Sequence, residues 1–130
     1  MTFGDLKGMV GQTIDYYEVK GNSVKAKRGK VSRNVYNDNS LVLKLVDKLG
    51  RCQECTYHTI YFDGGYYNHG ANVPKSTVYD CGYVKLYLDK EEAYNYIIEN
   101  FRKQRQNINK KMLKVQMELY GKKMEIKNEG

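Results

Sequence analysis

The sequence predicts an α+β protein with a small SH3/OB-like bent β-sheet or barrel over residues 1–88. One long C-terminal α-helix, residues 89–120, and a flexible tail, residues 121–130, are expected to follow. Two observations predict this order: short β-forming runs separated by turn residues come first, and the segment from Lys90 to Tyr120 then lacks glycine and proline. A chain of 130 residues is long enough for one domain with a single modest core.

The sheet is predicted from five runs rich in β-branched and aromatic residues, at 13–19, 24–36, 40–46, 56–62 and 83–88. Asn37-Asp38-Asn39 is expected to turn the chain between the second and third strands, and Asp63-Gly64-Gly65 to reverse it after the fourth. Gly29 interrupts the second run and predicts a bulge or a sharp bend. Residues 68–81, which hold the only proline, Pro74, are expected to be irregular.

The helix is predicted to begin after Asp89, a capping residue, and Glu92 three positions later completes a capping-box pattern. Gly121 is the predicted stop. Along this helix, residues spaced alternately by four and three form a heptad seam: Tyr94, Ile98, Phe101, Arg105, Ile108, Met112, Val115 and Leu119.

A small barrel can cover only the first part of such a helix, and an exposed remainder is marginal in water. We therefore expect the helix to self-associate or to dock on a partner, with folding back onto its own sheet as the alternative. The residues expected to mediate self-association, giving a homodimer, are Ile98, Phe101, Ile108, Met112, Val115 and Leu119. Arg105, the polar member of the seam, would fix the register or pair with an acidic partner.

The net charge of +7 is concentrated in two segments, one in the second strand and one in the helix. Such clusters favour an anionic partner, either nucleic acid or an acidic protein groove, and a merely solvated surface is the alternative. The basic residues expected to bind are Lys25, Lys27, Arg28, Lys30 and Arg33 in the strand, with Arg102, Arg105, Lys110, Lys111 and Lys114 in the helix.

The chain has 13 tyrosines, and seven of them lie between Tyr57 and Tyr87. Tyrosines beside basic strands are typical of barrels that stack nucleobases, and tyrosine is also a favoured anchor at protein interfaces. Tyr66 and Tyr67 follow a double-glycine turn and are expected to belong to the binding surface. About half of the tyrosines are expected to fill the core in place of leucine and phenylalanine.

One CxxC motif, Cys52 to Cys55, raises the question of zinc. A four-ligand site could be completed by Cys81 and His69, or by His58 in place of His69, but no second pair of ligands has zinc-site spacing. Free thiols are the favoured interpretation, and we expect no metal and no cofactor. The sequence also lacks a phosphate-binding glycine loop and the HExxH and GxSxG motifs, so we do not expect an enzyme.

The sequence contains no apolar run of about 18 residues and no basic segment followed by an apolar one at the N-terminus. The three cysteines are an odd number, which does not favour a secreted disulfide framework. These features predict a cytoplasmic protein that does not enter membranes.

The stretch 83–98, YVKLYLDKEEAYNYII, resembles the end of many small proteins of Firmicutes phages and mobile elements. In those proteins the last strand of a short barrel leads through a polar pair and Glu-Ala into a helix. The stretch 6–19, LKGMVGQTIDYYEV, resembles their first strand. Some small phage proteins of this kind are anti-defence factors, including anti-CRISPR proteins.

The resemblance implies a non-enzymatic, anti-CRISPR-like inhibitor that binds a host defence protein or ribonucleoprotein complex in the host cytoplasm. It would act by occupying a nucleic-acid channel or by blocking a conformational step. The alternatives are a protein that binds nucleic acid directly, through the same basic residues, and a homodimeric scaffold in which the helix forms the interface.

Overall fold

The computed structural model describes residues 1–129, with side chains described as far as Gly121. The chain divides into two compact units, the first comprising Met1–Tyr94 and the second beginning at Asn95. The first unit contains a curled six-stranded antiparallel sheet that forms a half-barrel, and one long C-terminal helix follows. The predicted α+β class is therefore confirmed.

The sheet has the strand order β4-β3-β2-β1-β6-β5, and all neighbours are antiparallel. The strands are β1 Thr13–Lys20, β2 Ser23–Arg33, β3 Ser40–Val46, β4 Cys52–Tyr61, β5 Val78–Asp80 and β6 Lys85–Tyr87. The first four form a meander, and β6 returns to pair with β1. The β1–β2 turn places Gly21 at φ +59°, a backbone angle that favours glycine at the first position of a tight hairpin.

The core fills the inside of the curl. Its fully buried side chains include Tyr16, Leu43 and Ile60 from the sheet, and Phe3 and Leu6 from an N-terminal 3₁₀-helix, Phe3–Gly8, that the sequence did not predict. This segment is held in place because the backbone N–H of Phe3 donates to the carbonyl of Ser76 at 2.9 Å. The apolar interior fixes the positions of the strands that carry the candidate site.

The structure corrects two expectations for β2. The strand pairs with β1 in continuous register across Gly29, and its pairing with β3 begins at Gly29, so the β1–β2 ladder has no bulge there. Glycine is required instead because the buried Tyr16 ring occupies the space of a side chain: a Cβ would lie 2.9 Å from Tyr16 Cε1. The strand also ends at Arg33, before residue 36, because the Asn34 side chain accepts the N–H of Tyr36 and starts a turn.

β4 begins at Cys52, four residues before the strand expected at 56–62, and its backbone pairs there with Val46. The CxxC motif therefore lies on a strand. The pairing of β3 with β4 is irregular between Lys44 and Val46. The segment expected to be irregular, 68–81, contains a 3₁₀-helix at Val73–Lys75 and the short strand β5. The last strand, β6, covers only three of the residues expected at 83–88.

The helix α1 is Lys90–Glu129, so it continues through Gly121 and the predicted stop there is wrong. The remainder of the predicted flexible tail lies outside the residues whose side chains are described. At the start, the Glu92 N–H donates to Asp89 Oδ2 at 2.9 Å, but the Glu92 carboxylate accepts from Thr77 Oγ1 and does not return to the cap. Among the described residues, no helical stretch combines the length and apolar character that crossing a bilayer requires.

Candidate functional site: a tyrosine-lined groove

The tyrosines of this protein lie mainly at its surface. Three of the 13 are buried and eight are exposed, so the expectation that half would fill the core is wrong. The exposed fractions reach 88% for Tyr66 and 65% for Tyr83. Exposed aromatic rings remain available to contact a partner. Where several of them lie together, they indicate a binding surface.

Five of the exposed tyrosines line a single open groove of about 270 Å³ in the first unit. The groove lies between β4 and the chain that leads from Tyr61 to β6. Its lining residues are Tyr57, His58, Thr59, Tyr61, Tyr66, Tyr67, Tyr79, Asp80, Cys81 and Tyr83. Six tyrosines that are up to 26 positions apart in sequence therefore converge on one concave surface.

Glycines allow the rings to lie close to the backbone. Gly82 has φ +90°, and a Cβ there would lie 2.5 Å from Tyr67 Cζ, so only glycine leaves room for that ring. The predicted reversal at Asp63-Gly64-Gly65 is a turn, with Gly65 at φ +55° and its N–H donating to Asp63 Oδ1 at 3.2 Å. Beyond it, the rings of Tyr66 and Tyr67 pack edge to face at 5.1 Å.

The loop that carries these rings is attached to the sheet by one asparagine. Asn68 Nδ2 donates to the Asp80 carbonyl at 2.7 Å, and the Asp80 N–H donates back to Asn68 Oδ1 at 3.1 Å. The floor of the groove is the buried Tyr79, whose hydroxyl accepts the N–H of Tyr61 at 3.1 Å. Burial raises the pKa of Tyr79, so its hydroxyl stays neutral.

A polar cluster lies at one side of the groove and centres on His58. His58 Nε2 lies 2.8 Å from Glu18 Oε1, and both side chains are largely buried. The hydrogen bond from His58 is the main cause that lowers the pKa of Glu18, so this carboxylate is ionised and only accepts. In the neutral imidazole, Nδ1 then has one lone pair to accept with. The nearer donor is Tyr83 Oη at 3.2 Å, and Cys81 Sγ lies 3.9 Å away.

Glu18, His58 and Cys81 lie in the sequence of contacts that a catalytic triad has, acid to imidazole to thiol. The electrostatic environment of the thiol does not favour that role. Burial, with the nearby carboxylates of Asp80 and Glu18, raises the pKa of the Cys81 thiol to about 12. A nucleophilic cysteine needs the opposite shift. Tyr83 also occupies the imidazole nitrogen that would have to act as the base. The cluster instead holds the Tyr83 ring at the groove.

The basic residues of β2 do not form one surface. In the register with β1, Arg28 lies opposite Asp15, with 3.5 Å between Nε and Oδ1, and Lys30 lies opposite Thr13. Because side chains alternate along a strand, Lys25, Lys27 and Arg33 point to the other face, which also carries the buried Val31. No basic residue of β2 lines the tyrosine groove among the described residues, although Lys27 lines the adjoining hollow beside His58 and Tyr83.

The candidate residues of the helix are all exposed. Arg102 lies 3.7 Å from Glu99, whereas Arg105, Lys110, Lys111 and Lys114 form no ion pair within the described part of the chain. The six apolar residues expected to mediate self-association are 44% to 63% exposed, and they are Ile98, Phe101, Ile108, Met112, Val115 and Leu119. The helix thus presents an apolar seam that is not buried.

The structure does not assemble the candidate zinc ligands. Cys52 is half-buried and Cys55 exposed on β4, Cys81 lies beside His58, and His69 is in the exposed loop before Val73–Lys75. In the part of the chain that the structure describes, no group of three or more His, Cys, Asp or Glu side chains could hold a metal ion. His58, considered only as a substitute ligand from the sequence, instead pairs with Glu18.

The sequence pattern identified Tyr66 and Tyr67 as binding residues but did not identify the other tyrosines of the groove. It also did not identify Glu18, which supports the groove through its hydrogen bond with His58. Glu18 and His58 are 40 positions apart, and no local pattern links them. The concentration of tyrosines after Tyr57 was the available signal. No protein-family model, curated protein or solved structure shows a significant match to this chain.

Proposed function

We propose that this protein is a non-enzymatic binding protein that recognises a macromolecular partner through the tyrosine-lined groove. The observation that carries the proposal is the convergence of five exposed tyrosines on one concave surface. Tyrosine gives a large contact area at a low cost in conformational entropy, and it is enriched among the residues that dominate binding energy. The contact with Gly82 positions the Tyr67 ring, and the Asn68 hydrogen bonds attach the loop that carries Tyr66 and Tyr67. This order before binding lowers the cost of association.

The partner in this proposal is a host defence complex, such as a CRISPR effector, which the protein inhibits in the host cytoplasm. The resemblance of residues 83–98 to the end of small phage and mobile-element proteins supports this choice. The raised pKa of Cys81 supports the absence of enzymatic activity in this proposal, because the cysteine 3.9 Å from His58 Nδ1 is held as a thiol.

The test is phage plating on hosts that carry individual defence systems, with and without the protein. Wild-type protein should raise plating efficiency on at least one such host. Tyr66→Ala should remove most of this effect, because truncating a central interface anchor costs about 2 kcal/mol or more. Tyr36→Ala is the matched control, since this ring is 94% exposed and lies outside the groove. Equal activity of wild type and Tyr66→Ala would contradict the proposal.

Direct nucleic-acid binding is the second candidate. It is favoured by Lys25, Lys27 and Arg33, which share one face of β2. Within the described residues they form no ion pair, so binding to phosphate would break no salt bridge. A gel-shift assay over a salt series separates the two. Affinity for a nucleic acid should fall log-linearly with salt, with a slope of about 0.7 per phosphate contact for single strands.

We further propose that the helix seam joins two copies in a homodimer. The exposed apolar side chains from Ile98 to Leu119 support this, because an isolated helix with such a face is marginal in water. Light scattering should give a mass above 15.2 kDa. Ile108→Asp should return it to the monomer value, and Asn107→Asp, which adds the same charge off the seam, should not. A monomeric wild type at micromolar concentration would refute the dimer.

A further inference from the structure

The charge of the groove differs from the charge of the rest of the chain. The protein has 22 lysines and arginines, yet among the described residues that line the groove there is none. One lining residue, Asp80, is a half-buried carboxylate. Its Oδ1 accepts the N–H of Gly82 at 2.8 Å, so the charge is fixed next to the Tyr67 ring that covers Gly82.

Neighbouring carboxylates extend this negative character. Glu18 lies behind His58, with Lys27 and Lys25 as cationic neighbours, and Asp63 begins the turn that leads to Tyr66. The pKa values of two groove residues are consistent with a negative environment. Burial is the main cause that raises the pKa of Cys81, and Asp80 and Glu18 raise it further. Burial also raises the pKa of Tyr79, with a smaller contribution from Asp63. The faces of the tyrosine rings are themselves negative in their quadrupole.

We infer that the groove binds a cationic side chain of the partner protein, specifically the guanidinium of an arginine. This inference rests on the proposed function and names the chemistry that the groove recognises. A planar guanidinium stacks on aromatic faces and donates to a carboxylate at the same time, which a compact ammonium does less well. A phosphate-bearing strand would find aromatic rings but no cation among the described residues that line the groove itself, and Lys27 lies only in the adjoining hollow.

The probes are two short peptides of the same shape, acetyl-Gly-Arg-Gly-amide and its citrulline analogue, in which a neutral urea replaces the guanidinium. Each is titrated into the full chain carrying ¹³C-labelled tyrosine rings, and the ring signals are followed by NMR. We expect saturable shifts of Tyr66 and Tyr67 with the arginine peptide. Its affinity should exceed that of the citrulline peptide by about 3- to 30-fold, the range that cation–π contacts contribute.

Two variants test the source of the preference. Asp80→Asn removes the charge but keeps an oxygen that can accept from Gly82, and it should reduce the arginine-to-citrulline ratio. Tyr66→Ala should weaken binding of the arginine peptide, and Tyr36→Ala should leave it unchanged. Equal affinities for the two peptides, or an absence of shifts up to tens of millimolar, would overturn the inference.

The result is distinguishable from failure of the proposed function. If the arginine peptide does not bind but Tyr66→Ala still abolishes phage protection, the groove is a contact surface and the arginine inference is wrong. If Tyr66→Ala leaves protection intact, the proposed function is wrong whatever the peptide does. A thymidine oligonucleotide that shifts the same rings when the arginine peptide does not would overturn the inference in favour of nucleic acid.

Discussion

Gly29→Ala should destabilise the half-barrel, and its effect can be worked out from one contact. The added Cβ would lie 2.9 Å from Cε1 and 3.3 Å from Cδ1 of the Tyr16 ring. Optimal carbon–carbon contacts are at about 3.5–4.0 Å, so the ring has to move. Tyr16 is 1% exposed, and its ring packs edge to face against His58 at 6.2 Å, which leaves it little room.

The expected magnitude is a balance of two effects. Overpacking a well-packed core costs about 1–3 kcal/mol. Replacing glycine by alanine restricts the unfolded chain and returns about 0.4–1 kcal/mol. The net loss in the free energy of unfolding should therefore be about 1–2 kcal/mol, which lowers the melting temperature by roughly 3–8 °C for a chain of this size.

The assay is urea unfolding followed by circular dichroism, with thermal melting as a second measurement. The urea concentration at the unfolding midpoint should fall, while the slope of the unfolding free energy against urea concentration should stay the same. Gly8→Ala is the matched control, because a Cβ there meets nothing within 4 Å and its φ is not positive. A Gly29→Ala protein as stable as the wild type would show that the close approach of Tyr16 is not the reason for this glycine.

Three further predictions concern the Glu18 carboxylate, the helix and metal binding. Because the pKa of Glu18 is lowered, its contribution to the free energy of unfolding is present above the ordinary value of 4.5 and is lost as pH falls below that value. Glu18→Gln should therefore reduce the fall in stability between neutral and acidic pH, and an unchanged fall would contradict the pairing with His58. Gly121→Ala should increase helicity measured by circular dichroism and stabilise the helix by about 1 kcal/mol, because the helix continues through this residue; no gain would place its end earlier. Excess EDTA should leave the thermal melt unchanged, and one equivalent of bound zinc lost on Cys52→Ser would refute this.

Local patterns predicted five of the six strands and the start of the helix, but they missed β5 and placed the end of the helix too early. The apolar run at 40–46 coincides with β3, and Asp89 marks the start of the helix with the hydrogen bond expected of a cap. Both signals lie within a few residues of sequence, where spacing and capping chemistry act directly. The N-terminal 3₁₀-helix gave no such signal, because Phe3 and Leu6 are only two apolar residues and the reason for their burial lies in distant strands.

The candidate site was harder to predict because tertiary contacts define it. Tyr66 and Tyr67 could be selected from their glycine turn, but Tyr57 and Tyr83 join them only after β4 and the segment before β6 are brought together. Gly29 shows the same limit: the sequence reveals a glycine in a strand, whereas its cause is a ring on the neighbouring strand.

The side chains of β2 alternate between the two faces of the sheet, and this divides its basic residues between two surfaces. The register with β1 assigns Lys25, Lys27 and Arg33 to one face and Arg28 and Lys30 to the other, where Asp15 already pairs with Arg28. A rigid anionic partner that docks on one face can therefore contact at most part of the cluster. The local excess of positive charge in the sequence thus overstates the charge of any single surface. The groove carries a carboxylate and aromatic rings, a combination that the net charge of the chain does not reveal.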